Sequence, residues 1–362
     1  MRLKDRSKAM RLTKMYAVLC SGIVLAAAFG CGGGGDTVKA DSKVVYINSS
    51  GGDLDVQLRK SYWDPFTKET GIKVINSAPV DNAKLVTMVK SGNVEWDITE
   101  LSGGGEMPRD SAGGYLEKID KSQLPLADLF PASVTDYAVW AAAYSTVLTW
   151  DLKKWPMSGK HPTGIMDLWN QKDFPGPRSI QKGALDNIEF GVLHAGVPQD
   201  KVYPVDLDLA FKELDKLKPN VSVYWTSGAQ SVQAITDGEA VMGTTWNGRP
   251  YQANNEGANL GIAWDDANLK MSWYAIPKGT KNYDNAMKLM AYQMDATRQA
   301  QVAEGSGYAG GNLKTGDLLS EALKPYFATL PEHLKVTVVS DENWWKDNGP
   351  NAEQQFISWV TR

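Results

Sequence analysis

From residue 43 onward, short apolar runs of four to six residues alternate with longer stretches in which apolar positions recur every three or four residues. Interleaving of these two periods predicts strands alternating with helices, an α/β architecture. Residues 44–47 read as a strand that ends in the polar turn 48–52. Leu54, Leu58, Tyr62 and Phe66 then share one helical face until Gly71 stops the helix, because glycine accepts the left-handed conformation of a helix C-terminus. A strand at 72–75, a helix marked by Leu85, Val86 and Val89, and a strand at 96–101 follow. A second unit begins near Thr149: a loop-rich stretch (155–178), a helix at 187–194, and a helix with Leu207, Ala210, Phe211, Leu214 and Leu217 in register. Then come a strand at 221–225, a helix at 231–236 and a small-residue strand at 240–245. An extended run at 271–277 stops at Pro277-Lys278-Gly279, and the helix after it aligns Met287, Met290, Ala291 and Met294.

Polar loops close several of these strands. In open α/β sheets, ligands bind beyond the carboxyl ends of strands, and helix N-termini with free amides receive anions. The loops 48–52, 102–105 (Ser102, Gly103, Gly104, Gly105) and 226–230 are therefore expected to bare backbone amides towards a ligand. The strand 240–245 ends in an elbow, Trp246-Asn247-Gly248-Arg249, that presents a ring face and a charge, with Gly248 allowing the chain to turn. This is a place to hold a small molecule.

Composition adds compartment and excludes classes. At 362 residues, two domains are expected. Arg2, Lys4, Arg6, Lys8, Arg11 and Lys14 precede an apolar run at 17–29 that is too short for a stable membrane span, which reads as a signal peptide over 1–30. It ends at Ala28-Phe29-Gly30-Cys31, a lipobox-like sequence before the glycine tether 32–35, so Cys31 is the expected lipid attachment site and 31–41 a tether. The alternative is cleavage after Val38-Lys39-Ala40. Of the two cysteines, Cys20 leaves with the signal and Cys31 carries lipid, so no disulfide or thiol site is expected in the folded part. The formal net charge of −4 becomes −9 once the six basic and one acidic residues of 1–30 are removed. A field of that sign disfavours nucleic acid as a partner.

Catalytic signatures do not assemble. None of the three histidines, His161, His194 and His333, has a second ligand at metal-binding spacing, and no G-x-S-x-G elbow is present. Asp265 and Asp266 imitate a carboxylate dyad, but neighbours in an extended segment point apart. The expectation is a binding protein, not an enzyme, with no metal and no cofactor.

Six segments carry a family resemblance: PFTKETGIKV (65–74), WDITEL (96–101), YLEKIDKSQL (115–124), GEAVMGTTWNG (238–248), YAIPKGTKN (274–282) and GYAGGN (307–312). Together they resemble the bacterial extracellular solute-binding proteins of ABC importers, of the spermidine/putrescine-binding kind. The resemblance implies a type II periplasmic-binding-protein fold: an α/β protein of two lobes, 42–148 with 272–316 and 149–271 with 317–362, joined by crossing strands around a ligand cleft that closes by hinge motion. It implies a monomer in the periplasm or at the cell surface, tethered through lipid, that hands a small solute to an inner-membrane permease. A sensory protein for a chemoreceptor uses the same fold and is the alternative.

Carried over by position, the resemblance places Trp246, Ser102 and Tyr308 in the cleft. The aspartate that grips a ligand ammonium is matched by Ser272 and a nearby aromatic by Lys270, and a cleft glutamine falls on Trp345. A cation over an aromatic face gains roughly 0.5–2 kcal/mol, whereas a buried unpaired charge costs several, so Trp246 alone does not replace the aspartate. A polyamine fits only if Asp186, Glu189, Asp265 or Asp266 supplies the charge. Lys270 and Arg249 favour a solute with a carboxylate or zwitterionic group. The candidate site is thus Trp246, Asn247, Arg249, Ser102, Gly103, Tyr308, Lys270 and Ser272.

Overall fold

A computed structural model of the protein describes residues 43–308 and 310–362. The expected signal segment and Cys31 lie outside the described residues. Among the described residues nine strands form one sheet: β1 (Val44–Asn48), β2 (Lys73–Ser77), β3 (Ile98–Leu101), β4 (Ala138–Asp151), β5 (Arg178–Gln181), β6 (Val221–Trp225), β7 (Met242–Trp246), β8 (Leu260–Ala275) and β9 (Thr337–Val339). Their order is β2-β1-β3-β8-β4-β7-β5-β6, with β9 on β8. Parallel pairing holds β1 to β2 and β3, and β5 to β6 and β7, while the long strands β4 and β8 run antiparallel to each other and to their outer neighbours.

These two strands organise the molecule. β4 has 14 residues and β8 has 16, and they pair from Ala138↔Ala275 to Asp151↔Leu260. One end of the ribbon meets β3 and the other meets β7, so the same backbone passes through both parallel blocks. Its register slips between Thr146 and Leu148, where β8 carries the surplus residues 264–267 and Asp266 sits at φ 63°. β9 pairs with β8 from Ala267 onward, beside that bulge. Sequence periodicity marked only 271–277 of this ribbon, because a strand buried on both faces lacks polar alternation.

Each block has its own core. Under β1 and β2 lie Val45, Ile47, Tyr62, Trp63 and Phe66 with Met287, Met290 and Met294, so the methionine face read from the sequence does point inward. The helical face of Leu54 to Phe66 is likewise buried, although the helix carries a π turn at Arg59–Trp63 between Gly52–Leu58 and Asp64–Thr70. Gly71 ends it at φ 72°, as expected. The second core gathers Trp150, Ile180, Phe190, Leu214 and Leu217 with Trp345, Phe356 and Trp359 from the C-terminal helix Glu342–Thr361. Burying each such side chain fully stabilises the fold by about 1.5–3 kcal/mol. Among the described residues no helix is long and apolar enough to cross a membrane, and no three metal-ligating side chains come together.

Candidate functional site

Tyr144 stands where β4 passes between the two blocks, flanked by small residues (Ala142, Ala143, Ser145). Its ring meets Trp246 edge-on at 6.1 Å and Tyr308 edge-on at 6.4 Å, and the Lys270 ammonium lies over it at 5.2 Å. Trp246 is braced on its other side by Trp225, perpendicular at 5.5 Å. Edge-to-face geometry suits the ring quadrupoles and fixes the orientation of each partner. Burial raises the Tyr144 hydroxyl pKa, and the carboxylates of Asp186, Glu342 and Glu100 raise it further. Three acids and two aromatic partners therefore converge on a residue that the sequence reading did not single out. Its signal was one large polar-tipped ring amid alanines and serines.

The elbow after β7 divides into two roles. Trp246 is half-buried and Arg249 partly exposed, whereas Asn247 is fully buried. The Asn247 side chain accepts from the Ser145 amide at 2.8 Å and donates to the carbonyls of Gly307 (3.1 Å) and Tyr326 (2.7 Å). Its hydrogen bonds tie β4, β7 and the chain beyond Ser306 together, and they use its side-chain oxygen and nitrogen within the protein. Gly248 opens the helix Gly248–Asn255 without a positive φ. It is glycine because a Cβ there would lie 2.5 Å from the Ser306 carbonyl oxygen and 2.6 Å from Tyr308 Cζ, a close approach and not the sharp turn inferred from sequence.

Arg249 passes over the start of the helix Gly228–Thr236, where a Cβ on Gly228 would come within 2.3 Å of Arg249 Nε and 3.0 Å of the Trp246 ring. Its Nη1 donates to Gln252 Oε1 at 3.2 Å, while its Nε is buried without a partner among the described residues. The Tyr308 hydroxyl is also buried without a hydrogen bond of normal geometry. Burial pushes its pKa up to about 12 although the Arg249 charge and the Gly248 amide pull it down. Arg249 and Tyr308 thus adjoin each other at the aromatic wall, where the guanidinium is the side-chain neighbour that favours the ionised phenol.

Lys270 is differently placed. It is 1% exposed and its ammonium donates to both oxygens of Asp186, at 2.5 and 2.6 Å, and to Thr146 Oγ1 at 2.5 Å. Thr146 and Asn268 donate to the same carboxylate at 2.7 and 2.8 Å. Burial lowers the Lys270 pKa and Asp186 raises it again. The pair is neutral as a unit and sealed, so Lys270 does not draw an anion and Asp186 does not supply a charge to a ligand. Of the other acids expected to supply that charge, Asp266 accepts from Gln199 at 2.7 Å and Glu189 accepts from Tyr203 (2.6 Å) and Trp345 Nε1 (2.8 Å), while Asp265 is exposed on the β8 bulge where its backbone bridges to Gly164. Burial, with Asp186 nearby, pushes the Glu189 carboxyl up to about 7.

The loops expected to bare their amides cap themselves instead. Ser102 N donates to Glu106 at 2.7 Å, and the amides of Gly104 and Gly105 donate to Glu342 at 3.3 and 2.8 Å. In the first loop, Ser50 N donates to Glu100 at 2.9 Å and Gly51 N to Asp55 at 3.2 Å. In the third, Thr226 N donates to Gln230 and Gln230 N to Ser227 Oγ. A strand-end amide near a carboxylate of its own chain gains a charge-assisted bond, so the sequence signal for an anion site was answered internally. Ser102 is exposed, and Gly103 lies 3.4 Å from Glu342 Oε1 and 3.6 Å from Lys270 Cβ, measured from an ideal Cβ. Ser272 is buried beside Glu100 on the neighbouring strand and hydrogen-bonds to it. Trp273 and Tyr274, which follow Ser272 on β8, are both buried. A recess of about 520 Å³ opens elsewhere, between Tyr46, Asn76, Lys84, Trp96 and Asp97, and none of the expected site residues lines it.

Known proteins resemble this chain in sequence and in fold. A gamma-aminobutyric acid-binding protein of Pseudomonas aeruginosa is 30% identical over 331 residues, covering 90% of this chain and 93% of that protein. A spermidine/putrescine-binding periplasmic protein of Escherichia coli is 28% identical over 298 residues, covering 79% and 83%. The solved structure of the Atu4243-GABA receptor superposes with a TM-score of 0.80 at 33% identity, covering 87% of this chain and 97% of that one. Residues 61–328 match the bacterial extracellular solute-binding protein family, and the chain accordingly belongs to that family, the ligand-capturing components of ABC transporters.

Proposed function

We propose that this protein captures a small organic solute carrying a carboxylate, which docks on the Arg249 guanidinium while Trp246, Tyr144 and Tyr308 enclose its body. The observation that carries the reading is Arg249: its Nε is buried without a partner among the described residues, and the guanidinium adjoins the Tyr308 phenol at an aromatic wall. A guanidinium presents donors in a planar fork that matches a carboxylate. Lys270 contributes no net charge because Asp186 neutralises it, so the positive charge left at the aromatic wall is the Arg249 cation. A diamine with no acid group meets that cation unfavourably. One relative is named for γ-aminobutyrate, which has a carboxylate; others are named for polyamines, which lack one.

The lobes are 42–148 with 272–316 and 149–271 with 317–362, and the β4–β8 ribbon is the hinge. Closure over the solute shifts the population towards a form that an inner-membrane permease recognises. Residues 1–30 direct export and Cys31 holds the mature protein to a membrane as a monomer. The protein performs no catalysis. Calorimetry on the mature protein with γ-aminobutyrate, aromatic and aliphatic acids, and putrescine tests the ligand class. Acids are expected to bind and Arg249→Ala to weaken that binding by at least about tenfold; tight putrescine binding that Arg249→Ala leaves unchanged would sink the reading.

A further inference from the structure

Three carboxylates raise the Tyr144 pKa: Asp186, which is paired with Lys270, and Glu342 and Glu100, which have only neutral donors, those of Glu342 being two loop amides that it caps. The third, Glu100, is 6% exposed and forms no ion pair with any described residue. Its Oε2 accepts from the Ser50 amide at 2.9 Å and the Ser50 hydroxyl at 2.7 Å, and the Ser272 hydroxyl is its remaining hydrogen-bonding neighbour. All three donors are neutral. A carboxylate offers about four acceptor positions, so a cation can join this set without displacing a member. Burying a carboxylate without a positive partner costs several kcal/mol, and the raised Glu100 pKa reflects that desolvation. The residue also stands at the carboxyl end of β3, one position before Leu101 and the exposed Ser102, beside the exposed Ser50.

We propose that Glu100 receives the cationic nitrogen of the solute, so that the cleft selects an ω-amino acid whose carboxylate lies on Arg249 and whose ammonium lies on Glu100. This rests on the assignment of the carboxylate to Arg249. Ser50 and Ser272 are positioning residues that hold the Glu100 carboxylate, one from the β1 loop and one from β8. Tyr144 separates the two poles and contributes a ring face to the methylene chain between them.

The test is titration calorimetry on the mature protein with the ω-amino acids from β-alanine to 6-aminohexanoate and with the corresponding amine-free acids. Glu100→Gln is expected to weaken the best amino acid by at least about tenfold, the discrimination of one lost charge-assisted contact, and to leave its amine-free acid unchanged. Glu100→Asp keeps the charge and is expected to weaken the amino acid less than Glu100→Gln does. Unchanged binding of the amine-free acid also reports that the variant is folded. Equal weakening of both ligand series by Glu100→Gln would assign Glu100 to loop structure and overturn the proposal, as would no effect on either. Absence of binding by the wild type to every ω-amino acid would overturn it too. Arg249→Gln read in the same titrations separates the two assignments: loss of both series supports the carboxylate site, while an unchanged response removes that site whatever Glu100 does.

Discussion

Lys270 and Arg249 are both cations beside the same aromatic cluster, yet the fold treats them in opposite ways. Lys270 is inserted into β8 under Tyr144 and bound to both oxygens of a buried aspartate. Arg249 leaves the elbow after β7 beside Gln252 and Tyr308, with no carboxylate bound to it and a buried Nε that has no partner among the described residues. The first charge is part of the β4–β8 ribbon's structure; the second is the one proposed to meet a solute. What separates them is a partner 84 residues away in the chain, Asp186, and no local pattern around Lys270 announces it. A positive side chain at a cleft position therefore says little about ligand charge until its own counter-ion is found.

That contrast breaks most visibly in stability. Lys270→Met leaves Asp186 buried without its cation and is expected to cost about 3–5 kcal/mol in chemical denaturation, whereas Arg249→Met is expected to leave the unfolding midpoint nearly unchanged. Pairing Lys270→Met with Asp186→Asn should restore much of the loss; if the double variant is no more stable than Lys270→Met alone, the ion pair is not what Asp186 contributes. In ligand affinity the order reverses. Arg249→Ala removes a charge-assisted contact of about 1.5–3 kcal/mol and should weaken a carboxylate solute in calorimetry, with the fold intact by circular dichroism.

Trp246→Ala follows, with an aromatic contribution of about 0.5–1.5 kcal/mol lost from binding and little from folding. Unchanged affinity would return Trp246 to a packing role against Trp225. The smallest effect is on pH dependence. Burial holds the carboxyls of Glu189 and Glu342 up at about 7 against an ordinary 4.5. The folded state therefore keeps protons that the unfolded chain releases between those values, and stability falls as pH rises from about 4.5 to about 7. Melting temperatures measured across that window should decline, and Glu189→Gln should flatten the decline; a rise with pH would contradict the assignment.

Much of the architecture was legible before the fold. The strand at 44–47, the helix ended by Gly71, the amphipathic helix 207–217 and the Met287–Met290–Met294 face all occur where periodicity placed them. The elbow was legible too, since an aromatic and an arginine after a strand of small residues have few packing explanations. The β4–β8 ribbon was not, because its residues are buried on both faces and leave no alternation to read. Tyr144 and Glu100 were missed for the same reason: each lies within a strand, and only pairing across the sheet brings them near Trp246, Ser50 and Ser272.

By itself, then, the chain determined its α/β order, its family and the ring and guanidinium at the end of β7, because these depend on local period and short motifs. Tertiary structure alone decided which charges remain available. Hydrogen bonds and ion pairs between residues as distant as Gly105 and Glu342, or Lys270 and Asp186, capped the loops and neutralised the lysine. Electrostatic pairing acts through space at a few ångströms and is indifferent to separation along the chain, whereas sequence patterns report only neighbours on one helix or strand.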